Sequence, residues 1–383
     1  MKSFQELGLS ANLVTNLNAL GLTTPFPIQE QAIPEILSGK DVMGIARTGS
    51  GKTASFALPI LEKFQKSANE RNRNINALFL VPTRELAIQI QGVFADFNKN
   101  LDRKIKTMAV YGGISINPQM KDMLGVEVLI ATPGRLLDLL DHKALTLNEV
   151  SIFGVDEADK MFQMGFEEEM NKIIDLLPAK RQNLLFSATL NDKVADMKER
   201  LAIDPVVIEI EAKETELGEA QINQSAFSVA PEVKGPFLRY LLKQNNYKQV
   251  LVFVSASRTA DNLVEKLNKN GIKAAAIHGK KSQGGRNNAL QDFKDGYVDV
   301  LVATDLIARG IDIEDLPVVI NYELPRSPLD YVHRIGRTGR AGKTGIAISL
   351  ITPEDEHHFK VIQKKAKIRI ALEPTEDIIL QGF

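Results

Sequence analysis

The sequence predicts an α/β protein with two parallel-sheet domains in tandem, and three observations carry that expectation. Its 383 residues exceed what one hydrophobic core usually serves. From Asp41 to about Ile210, short runs rich in Val, Ile and Leu alternate with longer segments of helical period. Continuous apolar strands separated by amphipathic helices indicate a parallel sheet covered on both faces. The alternation stops over Glu211 to Ala220, a polar stretch with the texture of a solvated linker, and then resumes. The expected layout is a region 1–36 belonging to the first domain, the body of that domain over 37–210, a short flexible linker over 211–220 and a second domain over 221–383.

The first domain's strands are expected at Val42 to Ile45, Ala77 to Val81, Thr107 to Tyr111, Val126 to Ala131, Ile152 to Val155, Leu184 to Ser187 and Val206 to Ile210. Those of the second are expected at Val250 to Val254, Ala274 to Ile277, Val298 to Ala303, Val318 to Asn321 and Ile346 to Leu350. A hydrophobic fraction of 44% and a charged fraction of 25% are those of an ordinary globular chain. The absence of cysteine excludes disulfides and thiolate-bound metals and fits a reducing compartment. No apolar run reaches the length of a membrane span, and Met1-Lys2-Ser3 leads into amphipathic sequence, so a cytoplasmic protein without membrane partners is expected. A net charge of -1 gives no support for nucleic-acid binding. Any basic surface has to be local.

The segment Ala46-Arg47-Thr48-Gly49-Ser50-Gly51-Lys52-Thr53 lies between the first strand and a helical segment. Strand, glycine-rich turn and helix start are what a phosphate-binding loop needs. The glycines let successive N–H groups point inward, and the helix offers its positive dipole end to a polyphosphate. Lys52 would reach the outer phosphates, and the Thr53 hydroxyl would hold magnesium. Asp156-Glu157-Ala158-Asp159 follows a later strand, at the end where ligands collect in open α/β sheets. Asp156 suits the magnesium ion and Glu157 an attacking water, while Asp159 reads as a first-turn helix charge. Ahead of these, Pro27 starts a helix in which Gln29 has two readings. It can recognise an adenine edge, or it can bond the backbone of its own helix terminus.

Pro82-Thr83-Arg84, Gly112-Gly113 and Thr132-Pro133-Gly134-Arg135 also sit at strand ends, and Ser187-Ala188-Thr189 closes another strand as a hydroxyl hinge or a plain helix cap. Hydroxyls, exposed N–H groups and arginines at strand ends form a sequence-blind grip on a phosphodiester backbone. In the second domain, Ala303-Thr304-Asp305 precedes Arg309-Gly310-Ile311-Asp312 and His333-Arg334-Ile335-Gly336-Arg337-Thr338-Gly339-Arg340. Four basic side chains around two glycines read as a poor core segment and a poor helix, and as charge offered to a transferring phosphoryl group.

Taken in order, with Phe4, Gln29 and Val252-Phe253-Val254, these stretches resemble the DEAD-box ATP-dependent RNA helicases of helicase superfamily 2, from Phe4 to about Leu350. The resemblance implies two RecA-like domains that bind ATP, Mg2+ and RNA. It implies adenine recognition by Gln29 with Phe4 stacking nearby, and phosphate, magnesium and water chemistry from Thr48, Gly49, Ser50, Gly51, Lys52, Thr53, Asp156 and Glu157. Arg337 and Arg340 are similar to the family's arginine fingers, Asp312 to its ribose contact and His333 to a link between domains. Thr83, Arg84, Gly113, Thr132, Arg135 and Thr304 are similar to its RNA-backbone contacts, which favour RNA over DNA without reading sequence. Partners in ribonucleoprotein assembly or RNA degradation would be in keeping with such a protein. The chain departs from the common pattern at Arg47, Val155 and Gln163. Toward its end it carries only one modest basic stretch, Lys364-Lys365-Ala366-Lys367-Ile368-Arg369, read as a solvated helix face. An ATP-dependent RNA clamp and a DNA-directed relative share the same motifs. A small-molecule P-loop kinase would leave the second domain's arginines without a purpose.

Overall fold

The computed structural model describes residues 2–46, 49–66, 74–201, 204–210, 222–305, 313, 316–339 and 344–383. The chain separates into two compact units, Met1–Ala212 and Lys213–Phe383. The linker expected at 211–220 lies outside the described residues.

The first unit opens with helices α1 (Ala11–Ala19) and α2 (Pro27–Leu37) and continues as alternating strands and helices. The strands are β1 (Val42–Ile45), β2 (Ala77–Leu80), β3 (Thr107–Val110), β4 (Val128–Ala131), β5 (Ile152–Val155), β6 (Gln182–Ser187) and β7 (Val206–Glu209). Helices α3 (Lys52–Phe64), α4 (Arg84–Asn98), α5 (Ile116–Asp122), α6 (Pro133–Asp141), α7 (Ala158–Gln163), α8 (Glu167–Asp175) and α9 (Asp192–Leu201) fall between them. The strands form one sheet in the order β3-β4-β2-β5-β6-β1-β7. Every pairing in it is parallel, as the unbroken apolar runs required: β1, β2, β4 and β5 are buried throughout.

Two apolar layers cover the sheet, one including α1 to α4 and the other α6 to α9. The phosphate-loop helix α3 is seated by aromatic rings. Phe56 stacks on Phe79 of β2 with centroids 4.4 Å apart and lies 5.3 Å from Phe186 of β6. Those rings fit because two strands carry glycine beneath them. A Cβ at Gly44 of β1 would meet Phe186, and one at Gly154 of β5 would overlap Phe79.

The second unit repeats the plan. Its strands are β8 (Ile222–Ser228), β9 (Val250–Val254), β10 (Ala274–Ile277), β11 (Val300–Thr304), β12 (Val318–Asn321), β13 (Gly345–Ile351) and β14 (Leu372–Pro374). They pair in the order β10-β11-β9-β12-β13-β8-β14, again all parallel. The expected strands are found with ends shifted by a residue or two. Two further strands, β8 and β14, were not legible as apolar runs. In β8 only Ala226 is fully buried, and its membership rests on a full ladder with β13 from Ile222 to Ser228. Among the described residues no helix is long and apolar enough to cross a membrane.

Candidate functional site

The strand order divides the C-terminal edge of the first sheet. β5, β6 and β1 are neighbours, and their ends carry the carboxylate segment, Ser187 and the glycine-rich loop. β3, β4 and β2 are neighbours too, and theirs carry Gly113, Thr132 and Thr83.

Within the loop, Gly49 and Gly51 have φ of 80° and 85°, the left-handed region that glycine enters without steric cost. A Cβ at Gly51 would overlap the Gln29 carboxamide. That carboxamide holds the loop: Nε2 donates to the Gly51 carbonyl at 3.1 Å, and Oε1 accepts the Phe26 N–H at 2.9 Å. The helix-terminus reading of Gln29 is therefore present in the structure, joined to a contact with the loop. Phe4, expected to stack near the base, is 4% exposed and belongs to the apolar cluster that also holds Leu7 and Leu9. The exposed ring next to Gly51 is Phe26, at 49%. Arg47 and Thr48 lie outside the described residues.

Lys52 opens α3 and is buried, its Nζ donating to the Ala46 carbonyl. Burial draws its pKa down, against the opposing charges of Asp156 and Glu157. Thr53 follows it, half-buried, in the first turn. Asp156 accepts the Glu157 N–H on Oδ1 at 2.8 Å. Burial pushes its carboxyl up to about 6, with Lys52 pulling the other way. Glu157 has φ 55°, a left-handed conformation that costs a non-glycine residue of order 1–3 kcal/mol and clusters at functional sites. Its Oε1 accepts from Lys160 Nζ at 2.5 Å, while Oε2 is buried with no hydrogen-bond partner. Asp159 stands in the first turn of α7 as expected, and its Oδ2 also accepts from Thr189 Oγ1 at 3.1 Å. Ser187 Oγ donates to the Thr189 carbonyl at 2.7 Å, so the Ser187-Ala188-Thr189 turn is fastened to the carboxylate segment.

Whether magnesium fits can be judged from this corner. Among the described residues no three His, Cys, Asp or Glu side chains converge on one point. Magnesium needs fewer: it takes one or two carboxylates and fills its octahedron with water and phosphate oxygens. Buried Asp156 is followed by Glu157, whose Oε2 is an orphaned acceptor, and a cation suits such carboxylate oxygens.

On the other side of the edge, Thr83 caps α4, its Oγ1 accepting the Leu86 N–H at 3.2 Å. Arg84 lies against Gly113, where an added Cβ would sit 2.9 Å from Nη1, and Gly113 has φ 83°. Thr132 occupies the cap position of α6 without a side-chain cap bond. Arg135, 8% exposed, donates through Nη2 to the Ile114 carbonyl at 2.7 Å, while its Nη1 is buried without a hydrogen-bond partner. Segments far apart in sequence thus meet as one cluster of hydroxyls, arginines and a glycine turn.

In the second unit Thr304 ends β11 at 9% exposure, and the helix Pro328–Ile335 carries His333 and Arg334. The expectation of a poor core segment and a poor helix is corrected at Arg334, which lies in this helix and is 2% exposed. Its Nε and Nη2 donate to the two Asp305 oxygens at 2.5 and 2.7 Å, and Nη1 donates to Asn321 Oδ1 and the Glu323 carbonyl. Its guanidinium carbon lies 4.8 Å from the Phe253 ring centroid. A buried charge with every face engaged is tolerated in a core, and sequence could not reveal those partners. Arg337 is also buried, at 6%. His333 is half-buried. Arg309, Gly310, Asp312 and Arg340 lie outside the described residues. Sequence reasoning also passed over Phe26, although it abuts Pro27, and Lys160, whose spacing of three from Glu157 was the available signal.

Known proteins show the same organisation. The family profile "DEAD/DEAH box helicase" matches residues 26–197, and that of the "Helicase conserved C-terminal domain" matches residues 234–342. The DEAD-box ATP-dependent RNA helicase CshA of Bacillus subtilis is 40% identical, over 99% of this chain and 76% of its own length. The ATP-dependent RNA helicase CshA of Listeria monocytogenes is also 40% identical, over 97% and 70%. Among solved structures, S. cerevisiae Dbp5 bound to RNA and ADP BeF3 aligns with a TM-score of 0.85 at 32% identity, covering 98% of this chain and 97% of that one. A DEAD box protein from the hyperthermophile Methanococcus jannaschii aligns at 37% identity with a TM-score of 0.54, covering 97% and 98%. With the loop, the carboxylate segment and the strand-end clusters in family order, and this likeness over nearly its full length, the chain belongs to the DEAD-box helicase family.

Proposed function

We propose that the protein is an RNA-stimulated ATPase that locally separates or remodels short RNA duplexes. The observation that carries this reading is the division of one sheet edge into a phosphate-loop and carboxylate side and an arginine and hydroxyl side. The first suits a nucleotide and the second a phosphodiester backbone.

In this reading Gln29, with Phe4 nearby and the exposed Phe26 ring beside the loop, recognises the adenine, and the N–H groups of Thr48, Gly49, Ser50 and Gly51 cradle the phosphates with Lys52. Thr53 and Asp156 would hold Mg2+, which supplies charge neutralisation at the phosphates when bound. Glu157 takes the proton of the attacking water through Oε2, the oxygen that has no partner in the protein. Arg337 and Arg340 supply positive charge for phosphoryl transfer, with Asp312 and His333 assisting. Thr83, Arg84, Gly113, Thr132, Arg135 and Thr304 hold the RNA backbone. A cytoplasmic location accords with the absence of cysteine and of any membrane-length helix among the described residues.

The test is direct. Single-stranded RNA is expected to raise ATP hydrolysis by the purified protein, single-stranded DNA to do so poorly, and a short RNA duplex to be separated. Equal stimulation by both nucleic acids would assign the chain to DNA. Stimulated hydrolysis without strand separation would leave an ATP-dependent clamp. Glu157→Gln is expected to bind ATP and RNA normally and to lose turnover on the order of 10²–10⁴-fold; unchanged turnover would exclude it as the base.

A further inference from the structure

The ion pair that joins Lys160 to Glu157 is not used in the reading above. Both side chains are nearly sealed from water, at 9% and 4% exposure, and their closest atoms are 2.5 Å apart. Lys160 sits on α7 at the position that faces its own N-cap, and its N–H also donates to the Glu157 carbonyl at 2.9 Å. The division of labour between the carboxylate oxygens is the informative feature. Oε1 is held by the ammonium, whereas Oε2 is buried, unbonded and left as an acceptor. A glutamate on a strained left-handed residue has rotatable torsions that nothing else in the described structure fixes, and a single charged anchor removes that freedom.

We infer that Lys160 is a positioning residue: it clamps Oε1 of Glu157 so that Oε2 alone is presented to the water that attacks the nucleotide. This inference rests on Glu157 being the base. Lys160 acts through the residue three positions before it.

Lys160→Met and Lys160→Arg are to be compared with Glu157→Gln and with the double variant Lys160→Met/Glu157→Gln in the full chain. In RNA-stimulated hydrolysis, Lys160→Met is expected to lower kcat on the order of 10- to 100-fold, the scale of lost orienting partners. KM for ATP should stay within about twofold, as for an interaction that matters only in the transition state. Lys160→Arg should recover most of kcat, and Lys160→Met should cost nothing further in the Glu157→Gln background. A second readout needs no turnover. Without nucleotide, Lys160→Met should lower the melting temperature by stranding a buried carboxylate, and adding Glu157→Gln should restore part of it. Wild-type kcat in Lys160→Met overturns the clamp. So does parallel loss of kcat and ATP affinity in both Lys160 variants, which is a packing defect. If Glu157→Gln itself turned over normally, the assignment of the base would fall, and the melting cycle would still report whether the pair is coupled.

Discussion

Arg334 carries a full positive charge into a position that is 2% exposed, and it is stable there because five donors in a fixed fork find two carboxylate oxygens, an amide oxygen and a carbonyl. Removing the guanidinium would strand Asp305 and Asn321. Arg334→Ala is expected to cost roughly 3–5 kcal/mol in urea unfolding, and Arg334→Lys to recover little, since an ammonium cannot make the bidentate pair. An unchanged unfolding midpoint would mean that water serves those oxygens equally well. Arg337, three positions on, is buried as well, at 6% exposure.

At the level of elements, the seating of α3 decides how well the phosphate loop is held. Its Phe56 ring rests on Phe79 and near Phe186, and both rings lie over strand glycines. Gly154→Ala would press a methyl group into the Phe79 ring. The expected loss is about 1–3 kcal/mol of overpacking strain, with part returned by adding Phe79→Leu; denaturation of the two variants measures it. Gly51→Ala acts on the loop instead. It combines φ 85° with a clash against Gln29, whose amide is the contact between α2 and the loop. The expected outcome is weaker binding of a fluorescent ATP analogue with the fold's melting temperature little changed, because the strain falls on a half-buried turn and spares the core.

Over the whole molecule, each unit has its own sheet and its own apolar clusters. A core complete in itself predicts independent folding. Residues 1–212 produced alone are expected to unfold cooperatively and to bind the ATP analogue, yet to show no RNA-stimulated hydrolysis, since Arg337, Arg340 and Thr304 are missing. Stimulated turnover by that fragment would remove the second unit from the chemistry.

Much of the fold was written locally. Runs such as Leu78 to Leu80 or Val250 to Val254 are apolar at every position because both faces of a parallel sheet are covered, so the strands announce themselves. Glycine spacing before Lys52 and the acids after Val155 likewise belong to short segments whose chemistry is set by neighbours in sequence. What sequence left open depends on distant partners. β8 reads as polar because its place comes from hydrogen bonds to β13 and β14, and backbone pairing leaves no trace in side-chain type. Phe4 and Phe26 are the same residue, and only packing made one a core side chain and the other an exposed ring beside Gly51. The sequence by itself determined two α/β units, a phosphate loop and a set of strand-end motifs. The tertiary structure alone decided the strand order that gathers those motifs on two sides of one edge, and the burial that pairs Lys160 with Glu157 and Arg334 with Asp305. Periodicity records how much of each residue meets water, whereas strand order and charge pairing are set by contacts between segments far apart along the chain.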